Sequence, residues 1–566
     1  MRILFLAHDF NSLTQRLYVE LTALGHDVSI ELDANDKLTE EAAALWQPEL
    51  VVAPFLKRAI PESVWTRHRT IVIHPGIPGD RGPAALDRAI LRGETTWGVT
   101  ALQANAEMDA GDLWAYDTFP MREATKSSLY RNEVTEAAVA CMHETLARLR
   151  KGASPEPQDY GRPFMRGRPW PGLKQAERAI DWTRDDTRTV LRKIHASDGV
   201  PGVRDTMAGL ACFLHDAHEE GTLRGAPGEI VATRGTAVCR ATRDGAVWIA
   251  HLREDRPDAF KLPARMVLGK RLAGVPEAAF AFDARAKGPT WREIRYEEYE
   301  GVGILRFAFC NGAMSTAQCE ALRAAYAHAR SRPVRVIALM GGRDFWSNGI
   351  HLNVIEAAPS AADESWRNIN AMNDLVRDIV ETGDKLTIAA MCGNAGAGGA
   401  FLALAADRVI AREAVVLNPH YKGMGNLYGS EYWTYLLPLR ASPEHARAVI
   451  EARLPIGARA AMAMGLVDEC IGGDPASFQQ EVVTRAADLA ASPDLEPMLS
   501  AKRERRARDE AAKPLAAYRE EELARMKQNF YGFDSSYHVA RYNFVHKVPR
   551  SRTPLHLAKH RRRRAS

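Results

Sequence analysis

Apolar positions in the first 155 residues come in short runs separated by amphipathic stretches. RILFLAH, DVSIEL, ELVVAPF and RTIVIHP read as β-strands, with LTQRLYVELTALG and AALDRAILRG as helices between them. That alternation predicts a parallel sheet wrapped by helices. Periodicity then stops. RKGASPEPQDYGRPFMRGRPWPG fills with Pro, Gly and Arg, and residues 156–174 read as a linker or a strap over a surface. From 175 to 280 a helical piece, DDTRTVLRKIHAS, precedes short β-like runs (GEIVATR, TAVCRAT, GAVWIAHL), which predict a small β-barrel. A boundary is expected near Ala284 to Thr290. Residues 290–550 return to alternating strands and helices (GVGILRFAF, VRVIALMG, KLTIAAMCG, DRVIARE, VLNP) and close on one long charged helix, SAKRERRARDEAAKPLAAYREEELARMKQNF. Residues 551–566 read as a basic tail, solvated and frayed. The expected fold class is multidomain α/β.

Composition narrows the function classes. A chain of 566 residues is too long for one core. Hydrophobic content of 46% with 26% charged residues is that of a soluble globular protein. A net charge of +4 gives no support to a nucleic-acid partner at this size. The seven cysteines are scattered, odd in number and without a C-x-x-C pair, so neither a disulfide framework nor a metal site is indicated. The N-terminal apolar run is too short for a signal peptide, and no window reaches the roughly 18 apolar residues of a membrane span. A cytoplasmic location is expected.

Two stretches carry chemistry. In IVIHPGIPGDRGP, His74 stands at a strand end, and EMDAGDLWAY places Asp109 in a glycine-containing turn. A His and an Asp at neighbouring strand ends can form a general base and its orienter. Spacing alone leaves plain capping and turn roles equally open. The second stretch is MCGNAGAGGAFLALAAD, Met391 to Asp407, where Gly393, Gly396, Gly398 and Gly399 open a buried helical run. Bare backbone N–H groups at such a helix start can stabilise a developing oxyanion. Yet the following Ala400-Phe401-Leu402 supplies no group to move a proton.

His74-Pro75-Gly76, Arg81-Gly82, Gly98-Val99-Thr100 and Met108-Asp109-Ala110-Gly111 resemble the folate-dependent formyltransferases. The resemblance implies a Rossmann-like domain that takes formyl from formyl-tetrahydrofolate, with His74 and Asp109 catalytic. It also implies a folate cleft involving Phe55, Lys57, Asn105, Met108 and Asp109. The stretch RAIDWTRDDTRTVLRKIHASDGVPGVRDTM through GAPGEIV resembles the C-terminal barrel of the methionyl-tRNA formyltransferases. One departure is plain: Val72 stands where that family has an Asn that stabilises the tetrahedral oxyanion. Removing such a donor typically costs about a hundred- to a thousandfold. An acceptor easier than an amine, such as a thiol, would lessen that need.

Phe345-Trp346-Ser347-Asn348-Gly349-Ile350-His351-Leu352, the glycine run, FCNGAMSTAQCEAL, ARAAMAMGLVDECI and NFVHKVPRS together resemble the crotonase (enoyl-CoA hydratase/isomerase) family. This implies an oxyanion hole of Ile350 and Gly398 N–H groups around an acyl-CoA oxygen, with Gly349 beside it and Lys547 meeting the CoA phosphates. Phe401 occupies the place of the first hydratase carboxylate, so ordinary hydration is not expected. The polar residues nearby are His420, Tyr421, Lys422, Tyr428 and Glu431. Of these, His420, Tyr421 and Glu431 are the candidates for moving protons.

The fusion as a whole is similar to the HoxX-type hydrogenase maturation factors. That resemblance implies formyl transfer from formyl-tetrahydrofolate to coenzyme A, then decarbonylation of formyl-CoA to carbon monoxide for the iron of a nickel–iron hydrogenase. It also implies transient contact with the hydrogenase large subunit or its maturation proteins. Two alternatives stay open: a formyltransferase that does not decarbonylate, and a non-catalytic assembly factor that binds CoA and folate. A tRNA formyltransferase would leave the C-terminal half unexplained.

Overall fold

The computed structural model describes residues 1–562. The chain divides into two compact units. The first holds Met1–Ala279, Ala286–Trp291 and the chain from Pro549 onward; the second holds Phe280–Arg285 and Arg292–Val548.

The first unit opens with six strands, β1 (Arg2–Ala7), β2 (Asp27–Leu32), β3 (Leu50–Phe55), β4 (Thr70–His74), β5 (Thr96–Gln103) and β6 (Leu113–Pro120), in the order β2-β1-β3-β4-β5-β6. The helix Ser12–Ala23 starts where the Asn11 side chain accepts from Thr14 N, and buries Leu13, Leu17 and Leu21 on one face. The expected all-parallel sheet is corrected here. β1, β2, β3 and β4 pair in parallel, but β4/β5 and β5/β6 are antiparallel. The connection after β5 has no helix to carry the chain back across the sheet, so β6 returns as a hairpin, whereas β5 is reached through the helix Ala85–Arg92 and still enters antiparallel to β4.

Strands β7 (Val203–Met207), β8 (Leu210–Glu220), β9 (Ile230–Arg234), β10 (Ala237–Ala241), β11 (Ala246–Glu254) and β12 (Leu262–Pro263) form an antiparallel sheet in the order β7-β8-β11-β10-β9, with β12 on β11. Its core, Val203, Leu214, Val238, Val247 and Ile249, is covered by Val190 and Ile194 of the helix Thr187–Ala196. The proline-rich strap is not loose. Glu156 pairs with Leu113, Gly167 N donates to Pro78 O, and Trp170 N donates to Arg81 O, so the strap crosses the loop that follows β4.

The C-terminal segment also departs from expectation. Through Arg562 it is folded onto β2 rather than frayed; Arg563 to Ser566 lie outside the described residues. Ile30 N donates to Leu557 O, and Leu32 N donates to the Thr553 hydroxyl at 2.7 Å. The Thr553 hydroxyl donates to Glu31, whose carboxylate also lies 3.1 Å from His560 Nε2. Both His560 and Glu31 are buried. An edge strand with unmet backbone groups and a buried acid needed such a cover.

The second unit has a sheet ordered Ile294–Tyr299, Val302–Phe307, Val336–Met340, Leu386–Met391, Arg408–Arg412 and Glu469–Ile471. The first pair is antiparallel and the rest parallel. A smaller sheet joins Phe345–Ser347, Asn394–Gly396, Val416–Asn418 and Ile456–Gly457. The glycine run continues into a short helix, Gly398–Leu404, buried at every position. The long charged helix is in fact two, Leu495–Ala512 and Leu515–Tyr531, broken at Lys513-Pro514. Pro514 has no N–H to give, and its ring disfavours helical backbone at the residue before it. Among the described residues no helix is long and apolar enough to cross a membrane.

Candidate active sites

In the first unit His74 ends β4 with its imidazole held between two carboxylates. Nε2 lies 3.1 Å from Asp80 Oδ1, and Nδ1 lies 3.5 Å from Asp109 Oδ2. Asp109 takes a left-handed backbone (φ 58°) and accepts from Gly82 N at 3.2 Å. A Cβ on Gly76 would fall 2.4 Å from His74 Nε2, so glycine is what lets the ring lie over the turn. Burial pushes the Asp80 carboxyl upward, opposed by its bond to His74. The sequence reading missed Asp80. Its only signal was an acid inside the glycine-bounded PGDRGP turn, and its distance from His74 depends on how that turn curls.

The remaining residues of the expected folate cleft divide. Phe55 packs edge-on against Tyr130 and His8, with Lys57 Nζ 5.6 Å above its ring. Met108 is exposed. The Asn105 side chain accepts from Glu107 N, which caps its own turn. Val72 sits mid-strand between Ala53 and Leu102.

In the second unit the two glycine segments lie side by side. A Cβ on Gly349 would be 3.3 Å from Gly398 N. Ile350 follows Gly349 and pairs with Met314. Ala397, just before Gly398, holds a strained backbone (φ 46°, ψ −129°), a cost of about 1–3 kcal/mol accepted at few places outside functional sites. Against Gly398 lies Glu431: a Cβ there would fall 2.2 Å from Glu431 Oε1. The Tyr421 hydroxyl is 2.6 Å from Glu431 Oε2 and 2.9 Å from Ser430 O. Burial raises Glu431 to about 8, with the nearby Glu522 adding to the rise and the Tyr421 bond opposing it. As an acid Glu431 can donate to Tyr421, which donates on to Ser430 O; as an anion it accepts from Tyr421.

Phe401 is fully buried and stacks on Tyr421, with ring centroids 5.5 Å apart and planes 10° from parallel. The Trp433 ring lies 6.4 Å from that of Phe401, tilted by 49°. His420 is half-buried, and its ring is the nearest group to a Cβ built on Gly423. Tyr428 packs on Trp433. Lys547 is exposed, with Nζ 4.4 Å from the Phe544 ring centre. The structure thus brings Gly398, Tyr421, Glu431 and Phe401 together. It also adds Ser430, Asn373 and Glu522, which no local pattern could mark, because Glu522 reaches this turn from a helix some ninety residues further along the chain.

Comparison with known proteins agrees with both halves. Residues 7–146 match the formyl transferase family, 172–263 its C-terminal domain, and 297–547 the enoyl-CoA hydratase/isomerase family. A methionyl-tRNA formyltransferase from Ralstonia nicotianae is 27% identical over 237 residues, 40% of this chain and 70% of that one. Fold and sequence therefore define a formyltransferase module joined to a crotonase module. Over 566 residues the chain is 54% identical to the hydrogenase maturation factor HoxX of Bradyrhizobium diazoefficiens, covering all of this chain and 98% of that one. The crystal structure of HypX from Aquifex aeolicus in complex with tetrahydrofolic acid superposes with a TM-score of 0.96 at 52% identity, over 99% of each chain. The chain belongs to the HoxX/HypX family of hydrogenase maturation factors.

Proposed function

We propose that this protein moves formyl from formyl-tetrahydrofolate to coenzyme A and releases carbon monoxide from the resulting formyl thioester. The gas would become the carbonyl ligand of a nickel–iron hydrogenase, through transient contact with the large subunit or its maturation proteins. The observation that carries this reading is the buried pair Tyr421–Glu431 set against Gly398, beside a buried Phe401 that by resemblance stands where hydratases have a water-activating carboxylate.

At the first site His74, steadied by Asp109, takes the thiol proton of CoA as sulfur attacks the formyl carbon, and gives that proton to the folate nitrogen as the C–N bond breaks. A thiol is the acceptor best suited to a site with Val72 in place of an amide donor. Phe55 and Lys57 are the proposed folate contacts, along with the Asn105-to-Asp109 loop. At the second site the N–H groups of Ile350 and Gly398 hold the thioester oxygen, beside Gly349, and Lys547 meets the CoA phosphates. The C–S bond breaks, the formyl hydrogen leaves as a proton, and the thiolate gains one, so no oxidant or reductant is needed. Glu431 and Tyr421 carry those protons, with His420 as the further candidate. Water at this carbon would give formate instead, which is what the Phe401–Tyr421–Trp433 wall excludes. Cytoplasmic action suits seven cysteines that all stand as free thiols.

The test is to mix the purified protein with formyl-tetrahydrofolate and CoA and to read headspace CO by haem absorbance. Formyl-CoA without gas would leave a transferase only. Neither product, with both ligands bound, would leave an assembly factor.

A further inference from the structure

Glu431 and Tyr432 are consecutive non-glycine residues in left-handed backbone, with φ of 60° and 57°. Such a turn is unfavourable unless its surroundings over-determine it. Two side chains do so. Asn373 Oδ1 accepts from Glu431 N at 2.7 Å, and its Nδ2 lies 2.8 Å from Ser430 Oγ. Glu522, on the helix Leu515–Tyr531, accepts from Tyr432 N at 2.9 Å, Thr434 N at 2.9 Å, Thr434 Oγ1 at 2.6 Å and Ser430 Oγ at 3.3 Å. Glu522 is fully buried. Tyr432 N, Thr434 N and Thr434 Oγ1, two of them backbone N–H groups at the start of the helix Trp433–Arg440, suit an anion. The one Ser430 hydroxyl hydrogen is contested by Asn373 Oδ1 at 3.0 Å. A neutral acid could donate only to the Ser430 or Thr434 hydroxyl, and would accept the two backbone N–H groups less strongly than an anion does.

We propose that Glu522 is the positioning residue of this site: as a buried anion it fixes the Ser430–Tyr432 turn and governs the proton on Glu431. This rests on the reading that Glu431 handles a proton. Two buried carboxyls across Ser430 cannot both be charged cheaply, so the one with more donors ionises and the other keeps its proton. Glu522 is raised less, to about 7, because burial is opposed by the Thr434, Tyr432 and Ser430 bonds. The pair therefore titrates as a unit. The other titratable groups that face it are Tyr421 on Glu431, Cys319 from the helix Thr316–Ser331, and Tyr428 and Lys513 on the Glu522 side. Burial holds Tyr421, Cys319 and Tyr428 neutral below the alkaline range. Glu522 is thus the carboxylate whose charge acts on Glu431.

The test uses the full-length protein without folate or CoA, so it stands whether or not the protein makes CO. The Glu431 carboxylic-acid C=O band is followed by infrared difference spectroscopy from pH 5 to 10 and assigned by its loss in Glu431→Gln. In the unaltered protein the band should disappear around pH 8. Glu522→Gln leaves the side facing Tyr432 N without an acceptor, keeps one carbonyl oxygen placed for the two Thr434 donors, and removes the charge. It should make Glu431 at least tenfold more acidic, moving the midpoint down by one pH unit or more. Should Glu522→Gln not fold, Thr434→Val decides: it removes one donor to Glu522 and should move the midpoint down by a smaller step. A folded variant whose midpoint stays put or rises would overturn the proposal, leaving Glu522 as a helix cap only.

Discussion

Gly398→Ala is the sharpest perturbation of the second site. The added methyl would sit 2.2 Å from Glu431 Oε1 and 2.5 Å from its Cδ, far inside contact distance. The neighbour that must yield is a carboxyl group, the far end of a side chain, so the fold should survive. Yet that carboxyl cannot swing away freely, since Tyr421 and Ser430 N hold its other oxygen. Displacing it forfeits the Tyr421 bond, about 0.5–1.5 kcal/mol for a hydrogen bond between neutral partners, since Glu431 keeps its proton near neutral pH. If that bond is made in the rate-limiting step, CO release falls roughly two- to tenfold. The assay is headspace CO from supplied formyl-CoA, with melting temperature as a control. Gly399→Ala is the contrast. Its methyl would meet the Ser347 carbonyl carbon and oxygen at 2.1–2.3 Å, which is backbone and cannot yield, so it should cost stability first. A Gly398→Ala protein that folds and releases CO at the unaltered rate would refute the placing of Glu431 beside the reacting carbon.

Other outcomes follow from the same geometry. His74→Ala should abolish CO from formyl-tetrahydrofolate and CoA, by roughly a hundredfold or more for a lost general base, while CO from supplied formyl-CoA persists; equal loss with both substrates would contradict separate roles for the two sites. Phe401→Glu should turn the product from CO toward formate, read by an enzymatic formate assay. It should also lower the melting temperature, since a buried aromatic is worth about 3–5 kcal/mol. Glu431 is raised from 4.5 to about 8, so between those pH values the folded state holds a proton that the unfolded state has lost. Its contribution to stability is therefore fully present below 4.5 and lost as pH rises toward 8. Glu431→Gln should flatten that slope in melting curves across pH 5–8. His560→Ala should destabilise the first unit by about 3–5 kcal/mol, because it strands the buried Glu31, and denaturant titration would read this directly.

Much of this was legible along the chain. The strand and helix runs, His74 with Asp109, the paired glycine segments and the missing acid at Phe401 all lie in local patterns of a few residues. Periodicity and close-approach glycines leave such marks because they act over one or two turns of backbone. The single long helix was misread because a 3.6-residue pattern continues across Pro514, and only the missing N–H ends it. The antiparallel end of the first sheet was misread because strand direction belongs to pairing, not to either strand.

What tertiary structure alone decided is which distant groups share one desolvated space. Asp80 meets His74 through the curl of a turn, and the segment from Thr553 to His560 folds onto β2, where it meets edge backbone groups and a buried acid. Glu522 reaches the Glu431 turn across some ninety residues of chain, and it is their shared burial that drives one carboxyl to ionise and the other to keep its proton. A sequence fixes which residues can carry charge. The dielectric and donors that set whether they do so come from segments far along the chain, and folding assembles them.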